Sequence, residues 1–478
     1  MEELSKKIAI IGGGIAGSSI GLYLSELGLD VSVFEKKDTL VDGPPICHLH
    51  AGGNLYREIS DEQCITLLKE SIELVQLYPC AVDFRPTVIA IPTTDDGNPQ
   101  DLYERLEMLK KEYSLLIEDK VTNRVLGDAN NYYKIFDRDK IESLKSKETL
   151  DNPVSFDEWM IPVAKNIDLD KVKFPLIMVQ EYGLNIFRLA ASVTLSFEVI
   201  NNAHILTNTL VTDIKKEDES FIVEYKQDET SYSDKFDYLI NAAGFKSGEI
   251  DDMLGLKRER FVEFKAAYVT KWKSDVVWPE VIFYGKRGTP NGMAQFTPYP
   301  DGYFQLHGMT EDITLFKDGL VKSQALSAQP QLDKKYINKI YKGWSVDEAK
   351  KRGSLAVKHL TKFIPSFKNV DVTEKPLFGA QQIPGSDASL RAADVSFFGD
   401  RYARCEIVKA SSVLGMADSI TNKLISLGYV DSSLYGSRNF NTIKNFTEEN
   451  ITKCAQELCL KRDYPKSLAI RNNSSMII

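Results

Sequence analysis

The feature that most limits what this chain can fold into lies near its start, in KIAIIGGGIAGSSIGLYLSELGLDVSVFEKK. The stretch reads as strand, glycine-rich turn, helix, strand. Lys7 to Ile11 form a short apolar run suited to a parallel strand buried on both faces, and Val31, Val33 and Phe34 form a second. Between them Ile20, Leu24 and Leu27 recur at helical spacing, and Gly28 ends the pattern. This is a βαβ unit.

Its turn is Gly12-x-Gly14-x-x-Gly17, and each glycine answers a separate demand. Gly12 permits the tight turn, Gly14 lets backbone N–H groups approach a pyrophosphate at the positive end of the helix, and Gly17 allows helix and strand to pack closely. Glu35 ends the second strand, 21 residues after Gly14, where a carboxylate can accept hydrogen bonds from the adenosine ribose. An acid there repels a 2′-phosphate. NADP is thereby disfavoured, and FAD and NAD remain.

With 478 residues, the chain is long for one compact core, so two interlocked domains are expected. A net charge of −9 with scattered basic residues leaves no electrostatic footprint for nucleic acid, and a small-molecule substrate follows. The six cysteines show no paired CxxC spacing, which fits a reducing, cytoplasmic setting without a zinc site. No apolar run suggests a signal peptide or an integral membrane segment.

After the alternating ILTNTLVTDIKKEDESFIVEYKQDE comes FDYLINAAGF, a short apolar strand ending in small residues. Here the sequence resembles the flavoproteins of the glutathione-reductase type, and within them the D-amino-acid-oxidase-like superfamily. RGTPNGMAQFTPYPDGYFQLHGMTED, FDRDKIESL, QEYGLNIFRLAASVTLSF and FFGDRYARCEIVKASSVLGMADSI continue the likeness over most of Lys6 to Leu427. The resemblance implies FAD as the cofactor. It implies that Ala243 and Gly244 of NAAG cross the cofactor phosphates and that Val211 meets the adenine through its backbone. Lys36, beside Glu35, joins the cofactor contacts. A second GxGxxG for NAD(P)H is absent, so the organic substrate itself reduces the flavin.

The implied fold class is α/β, a Rossmann-like FAD-binding domain interleaved with a substrate domain on a mostly antiparallel sheet. The cofactor domain takes residues 1–60, 182–256 and 394–427. The substrate domain takes 61–181 and 257–393, and 428–478 forms a C-terminal helical extension through FTEENITKCAQELCLKR.

Chemistry is expected at the join. VKASS offers a helix N-terminus facing the flavin, with Ser411 among the cofactor contacts and Lys409 adding a cation. Amino-acid-oxidising relatives carry an arginine in G-x-R-P for the substrate carboxylate, whereas this chain reads FGAQQIPGSD, with Gln381 or Gln382 at that place. Arg404 matches an arginine of the closing segment and can take over anion recognition, with Arg401 nearby. His307 in FQLHGMT is a candidate acid or base. Tyr268 and Lys265 have odd spacing on one strand, so at most one faces the flavin.

The pair His48 and His50 in ICHLHAGGN comes from a chain with only five histidines. Two imidazoles without a convergent carboxylate or thiolate are an incomplete metal site. HAGG resembles the HAAG of dimethylglycine-dehydrogenase-like members, which implies that His50 and Ala51 contact the flavin and that His50 matches the histidine bonded to its 8α carbon. The expected activity is FAD-dependent oxidation of a small amine, amino-acid derivative or hydroxy acid, with electrons passed to oxygen, quinone or another acceptor. The alternatives are a flavin monooxygenase, whose G-D-A-x-H motif this chain follows only through Gly399-Asp400, and a flavin-fold binding protein without turnover.

Overall fold

The computed structural model describes residues 6–45, 48–50, 59–274, 276–373, 375–391, 395–436 and 440–472. Two sheets dominate it. The first has six strands in the order Val395–Phe398, Tyr402–Cys405, Tyr238–Asn241, Lys7–Ile11, Asp30–Phe34, Ala203–Leu206. All neighbours are parallel except the antiparallel edge pair 395–398 with 402–405. Its central strand is apolar on both sides because both sides are covered. Ile8 and Ile10 join the large core, whereas Ala9 and Ile11 pack with Val211 and Val223 under a three-stranded sheet. The expected strand–turn–helix–strand at the start is present, with helix Ile15–Glu26 between the first two strands.

The second sheet is mixed. Its main path runs Leu320–Lys322, Arg260–Lys271, Tyr303–Gly308, Ala294–Pro298, Glu280–Phe283, Thr87–Pro92, Val172–Val179, Tyr133–Phe136, and Leu377–Pro384 also pairs with 260–271. Glu280–Phe283 and Thr87–Pro92 run parallel, while the other neighbours along the path are antiparallel.

Alternation along these strands sorts their side chains. In 87–92, Ile89 and Ile91 enter the core shared with the first sheet, while Val88 and Ala90 enter a second core with Trp159 and Phe363 behind the sheet. In 260–271, Ala267 and Val269 take the shared side and Ala266 and Tyr268 the rear. The shared side is where the two sheets can meet a ligand.

The C-terminal segment is tied to the glycine-turn end of the first sheet. Helix Glu448–Lys461 is followed by Arg462, which donates to the Leu40 and Val41 carbonyls at 2.6 and 3.2 Å. Val41 in turn donates its N–H to the Gly13 carbonyl at 2.9 Å. Among the described residues no helix is long and apolar enough to cross a membrane.

Candidate active site between the two sheets

A long cleft opens at the C-terminal ends of the first sheet's parallel strands, where such sheets bind ligands. The glycine turn forms one wall. Gly12 has φ +106°, and a Cβ there would lie 2.4 Å from the Ala242 carbonyl oxygen. A Cβ on Gly17 would lie 1.8 Å from the Gly12 oxygen, so the helix could not seat on the turn. Gly14 differs: a Cβ would meet nothing within 4 Å, because the residue faces the cleft at the helix start. The bare backbone, open space and helix N-terminus suit a pyrophosphate, and the turn fits a dinucleotide.

Glu35 sits beside that turn. Its carboxylate accepts from the N–H groups of Gly13 at 2.7 Å and Lys37 at 2.8 Å. Burial raises its pKa despite those bonds. Lys36, Val211, Ala243 and Gly244 border the same end of the cleft. At the other end are His50, Lys409 and Ser411, with a short helical turn Ala410–Ser412 leading into helix Val413–Ser426. Ala51 lies outside the described residues, as do Gly52 and Gly53.

His50 and Lys409 meet directly, with Nζ 3.1 Å from Nε2. Burial holds the His50 pKa well below the ordinary value, and Lys409, His48, Arg391 and Lys265 push in the same direction. His50 is therefore a neutral imidazole at ordinary pH. Lys265 reaches this region from strand 260–271, its ammonium 2.8 Å from Glu263 Oε2. Arg287 is bonded to the same carboxylate. Burial lowers the Lys265 pKa, and Arg287 and Arg391 add to the effect against the pull of Glu263. Gln381 is the cross-strand partner of Glu263 and lines the cleft.

His48 has a different setting. Its Nδ1 lies 2.6 Å from Glu280 Oε1 and its Nε2 lies 3.4 Å from Glu181 Oε1. Arg85 reaches the other Glu280 oxygen at 2.5 Å, and Gln295 donates to Oε1 at 2.6 Å. Burial alone would raise the Glu280 pKa, but the charges of His48 and Arg85 outweigh it and hold the carboxyl at about 2. Glu181 supplies the convergent carboxylate that the two histidines lack in sequence, and donor atoms of His48, His50 and Glu181 lie within 4.8 Å of one another. The hydrogen bonds already made by both rings give this group the character of a buried charge network.

Two expected site residues are elsewhere. Arg404 is 4% exposed, and its Nε donates to Asp251 Oδ1 at 2.6 Å. Arg260 and Tyr402 share that carboxylate. On strand 402–405 its neighbour Cys405 borders the cleft, so alternation sends Arg404 to the opposite face. The Arg404 guanidinium is thus paired with Asp251 on the side away from the cleft. Arg401 is bonded to Glu219 at the surface. Tyr268 belongs to the rear core, donating to the Ile313 carbonyl at 3.1 Å and accepting from Arg352 Nε at 2.8 Å. Of the odd-spaced pair, Lys265 shares the face of Ala267 and Val269 but, like His307, stands outside the cleft lining.

His307 is buried on strand 303–308, opposite Gln295. Cross-strand partners share a face, so it stands on the cleft side beside the His48 network but outside the cleft lining. The sequence offered no signal for Arg85, Glu181, Glu280 or Arg391, which join the site only across strand pairings and loops remote in the chain.

Residues 7–125 match the family model described as DAO, FAD dependent oxidoreductase. Among curated proteins no sequence matches the chain. Solved structures share the fold. L-proline dehydrogenase from P. horikoshii has 17% identity and a TM-score of 0.53, covering 91% of this chain and 98% of that one. L-alpha-glycerophosphate oxidase from Mycoplasma pneumoniae, solved with FAD bound, has 15% identity and a TM-score of 0.56, covering 89% and 95%. L-amino acid deaminase from Proteus vulgaris has 12% identity and a TM-score of 0.56, covering 88% and 94%.

Proposed function

We propose, from the premise that this chain is an FAD-dependent oxidoreductase of the DAO type, that it oxidises a small organic acid at the carbon bearing an amine, substituted amine or hydroxyl group. The observation that carries the substrate class is the charge around His50 and Lys265. Lys265, Arg287, Arg391 and Lys409 bring four cations there against the carboxylates of Glu263 and of Glu181, whose donor atom lies within 4.8 Å of that of His50. An excess of positive charge on mostly half-buried side chains favours an anionic ligand, which the missing G-x-R-P arginine would otherwise have to hold. The similar folds named above belong to proteins named for amino acids and for glycerophosphate, which carry a carboxylate or a phosphate.

On this reading residues 1–60, 182–256 and 394–427 hold FAD, with Gly14, Glu35, Val211 and Gly244 along the dinucleotide and Ser411 at the flavin end. Residues 61–181 and 257–393 roof the cleft and place Lys265 and Arg391 for the substrate anion, while 428–478 braces the Leu40–Val41 turn through Arg462. Bound FAD supplies the hydride acceptor, and its electrons leave to oxygen, a quinone or another carrier. Lys409 and the helix start at Ala410 stabilise negative charge on the cleft side. Lys409 also donates to Nε2 of His50, which keeps that nitrogen free of a proton.

The test is anaerobic bleaching of the bound flavin by a panel of small amino, N-alkylamino and 2-hydroxy acids. At least one should bleach it, and Lys265→Met should raise the KM for that substrate by about 10- to 100-fold, the worth of a charged hydrogen bond. Arg404→Met should leave KM unchanged and lower the melting temperature. Flavin that no acid bleaches, or a KM indifferent to Lys265→Met, refutes the reading.

A further inference from the structure

The adenosine end of the cleft is not bounded by the first sheet alone. Helix Lys334–Lys342 belongs to the chain between the second sheet's strands, and its inner side is anchored on the rear of strand 260–271. The Tyr336 ring stacks on Phe264 with centroids 4.8 Å apart, and Ile340 packs in the same cluster with Val262 and Ala380. Asp333 caps the helix start through the Lys335 N–H, and Gly343, at φ +95°, ends it. The last turn therefore has a set position, and Tyr341 projects from it to the cleft beside Ile340.

Lys36 Nζ stands 3.9 Å from the centroid of the Tyr341 ring, a cation–π contact between one sheet's strand end and the other sheet's helix. Glu35 and Glu249 are close enough to act on the Tyr341 phenol, which burial first and those charges next push up to about 12. Lys36 in turn feels Lys246, Glu249 and Glu35. All of these residues border the end of the cleft where Glu35 and Val211 lie.

We propose that Tyr341 closes the adenosine end of the FAD groove and pins Lys36 over its ring beside Glu35, so that cofactor binding requires this helix of the second sheet as well as the glycine turn. The proposal rests on the FAD reading above. It adds a specificity element that the dinucleotide motif does not contain, and it makes the cofactor a bridge between the two sheets.

The experiment uses full-length protein stripped of flavin, titrated calorimetrically with FAD and with ADP, which carries the adenosine half alone. Wild type should bind both. Tyr341→Ala should weaken both by the same factor, about tenfold, as expected for a lost cation–π contact and its desolvated wall. Tyr341→Phe keeps the ring and should stay within about twofold of wild type. Lys36→Met should reproduce the loss, and the double variant should lose no more than either single one, because both changes remove one contact. Melting curves of the apo variants check folding, and Lys36→Met carries the test if Tyr341→Ala does not fold. ADP binding that is unchanged in Tyr341→Ala or in Lys36→Met overturns the proposal, as does a Tyr341→Phe variant as weak as Tyr341→Ala. Wild-type protein that binds neither ligand refutes the FAD reading itself.

Discussion

Lys409 Nζ and His50 Nε2 lie 3.1 Å apart across 359 positions of sequence, both on the wall of the cleft between the two sheets. An ammonium donating to Nε2 occupies the lone pair of that one ring nitrogen. We expect His50 to touch the flavin without a bond to its 8α carbon. Acid precipitation of the holoprotein should leave a white pellet and put all the flavin in the supernatant. A yellow pellet that becomes colourless in His50→Ala would establish the bond instead.

Gly14 and Gly17 should fail in different ways. A side chain at Gly14 enters open cleft, so Gly14→Leu should fold with an unchanged apo melting curve and contain no flavin. Gly17→Ala places its methyl carbon 1.8 Å from the Gly12 oxygen and should cost about 3 kcal/mol or more in unfolding free energy. Equal loss of stability in both variants would contradict this division between a binding glycine and a packing glycine.

The Glu280 carboxyl makes stability depend on pH in a stated direction. Its folded pKa of about 2 lies below the ordinary 4.5, so its contribution is complete above about 4.5 and drains away as pH falls towards 2. Glu280→Gln removes the shorter carboxylate contact of both Arg85 and His48, leaving them Asp83 at 3.5 Å and Glu181 at 3.4 Å, and should cost about 3 kcal/mol at neutral pH. Urea unfolding of both proteins should show that gap narrowing between about pH 4.5 and 3. A gap constant over that range would remove Glu280 as its source.

The sequence by itself determined the nucleotide end of this protein. Strand, glycine turn, helix and acid lie within Lys7 to Glu35, and their contacts are local: Gly12 must turn, Gly17 must pack on that turn, and Glu35 accepts from Gly13. Backbone sterics and short-range hydrogen bonds impose such relations wherever the pattern occurs. Period-two alternation likewise separated Lys265 from Tyr268, although it could not say which of them takes the shared side.

Only the tertiary structure decided the substrate end. Arg404 matched a motif yet is consumed by Asp251, because a buried guanidinium goes to the nearest buried carboxylate whatever its sequence neighbours suggest. Lys265, Arg391 and Lys409 gather around one histidine from three remote segments, and Glu280 reaches His48 across 232 positions. Charge complementarity acts through space, so the partners of a buried charge are set by strand order and register in the mixed sheet. The same holds for Tyr341, which meets Lys36 only because its helix is anchored on the back of strand 260–271.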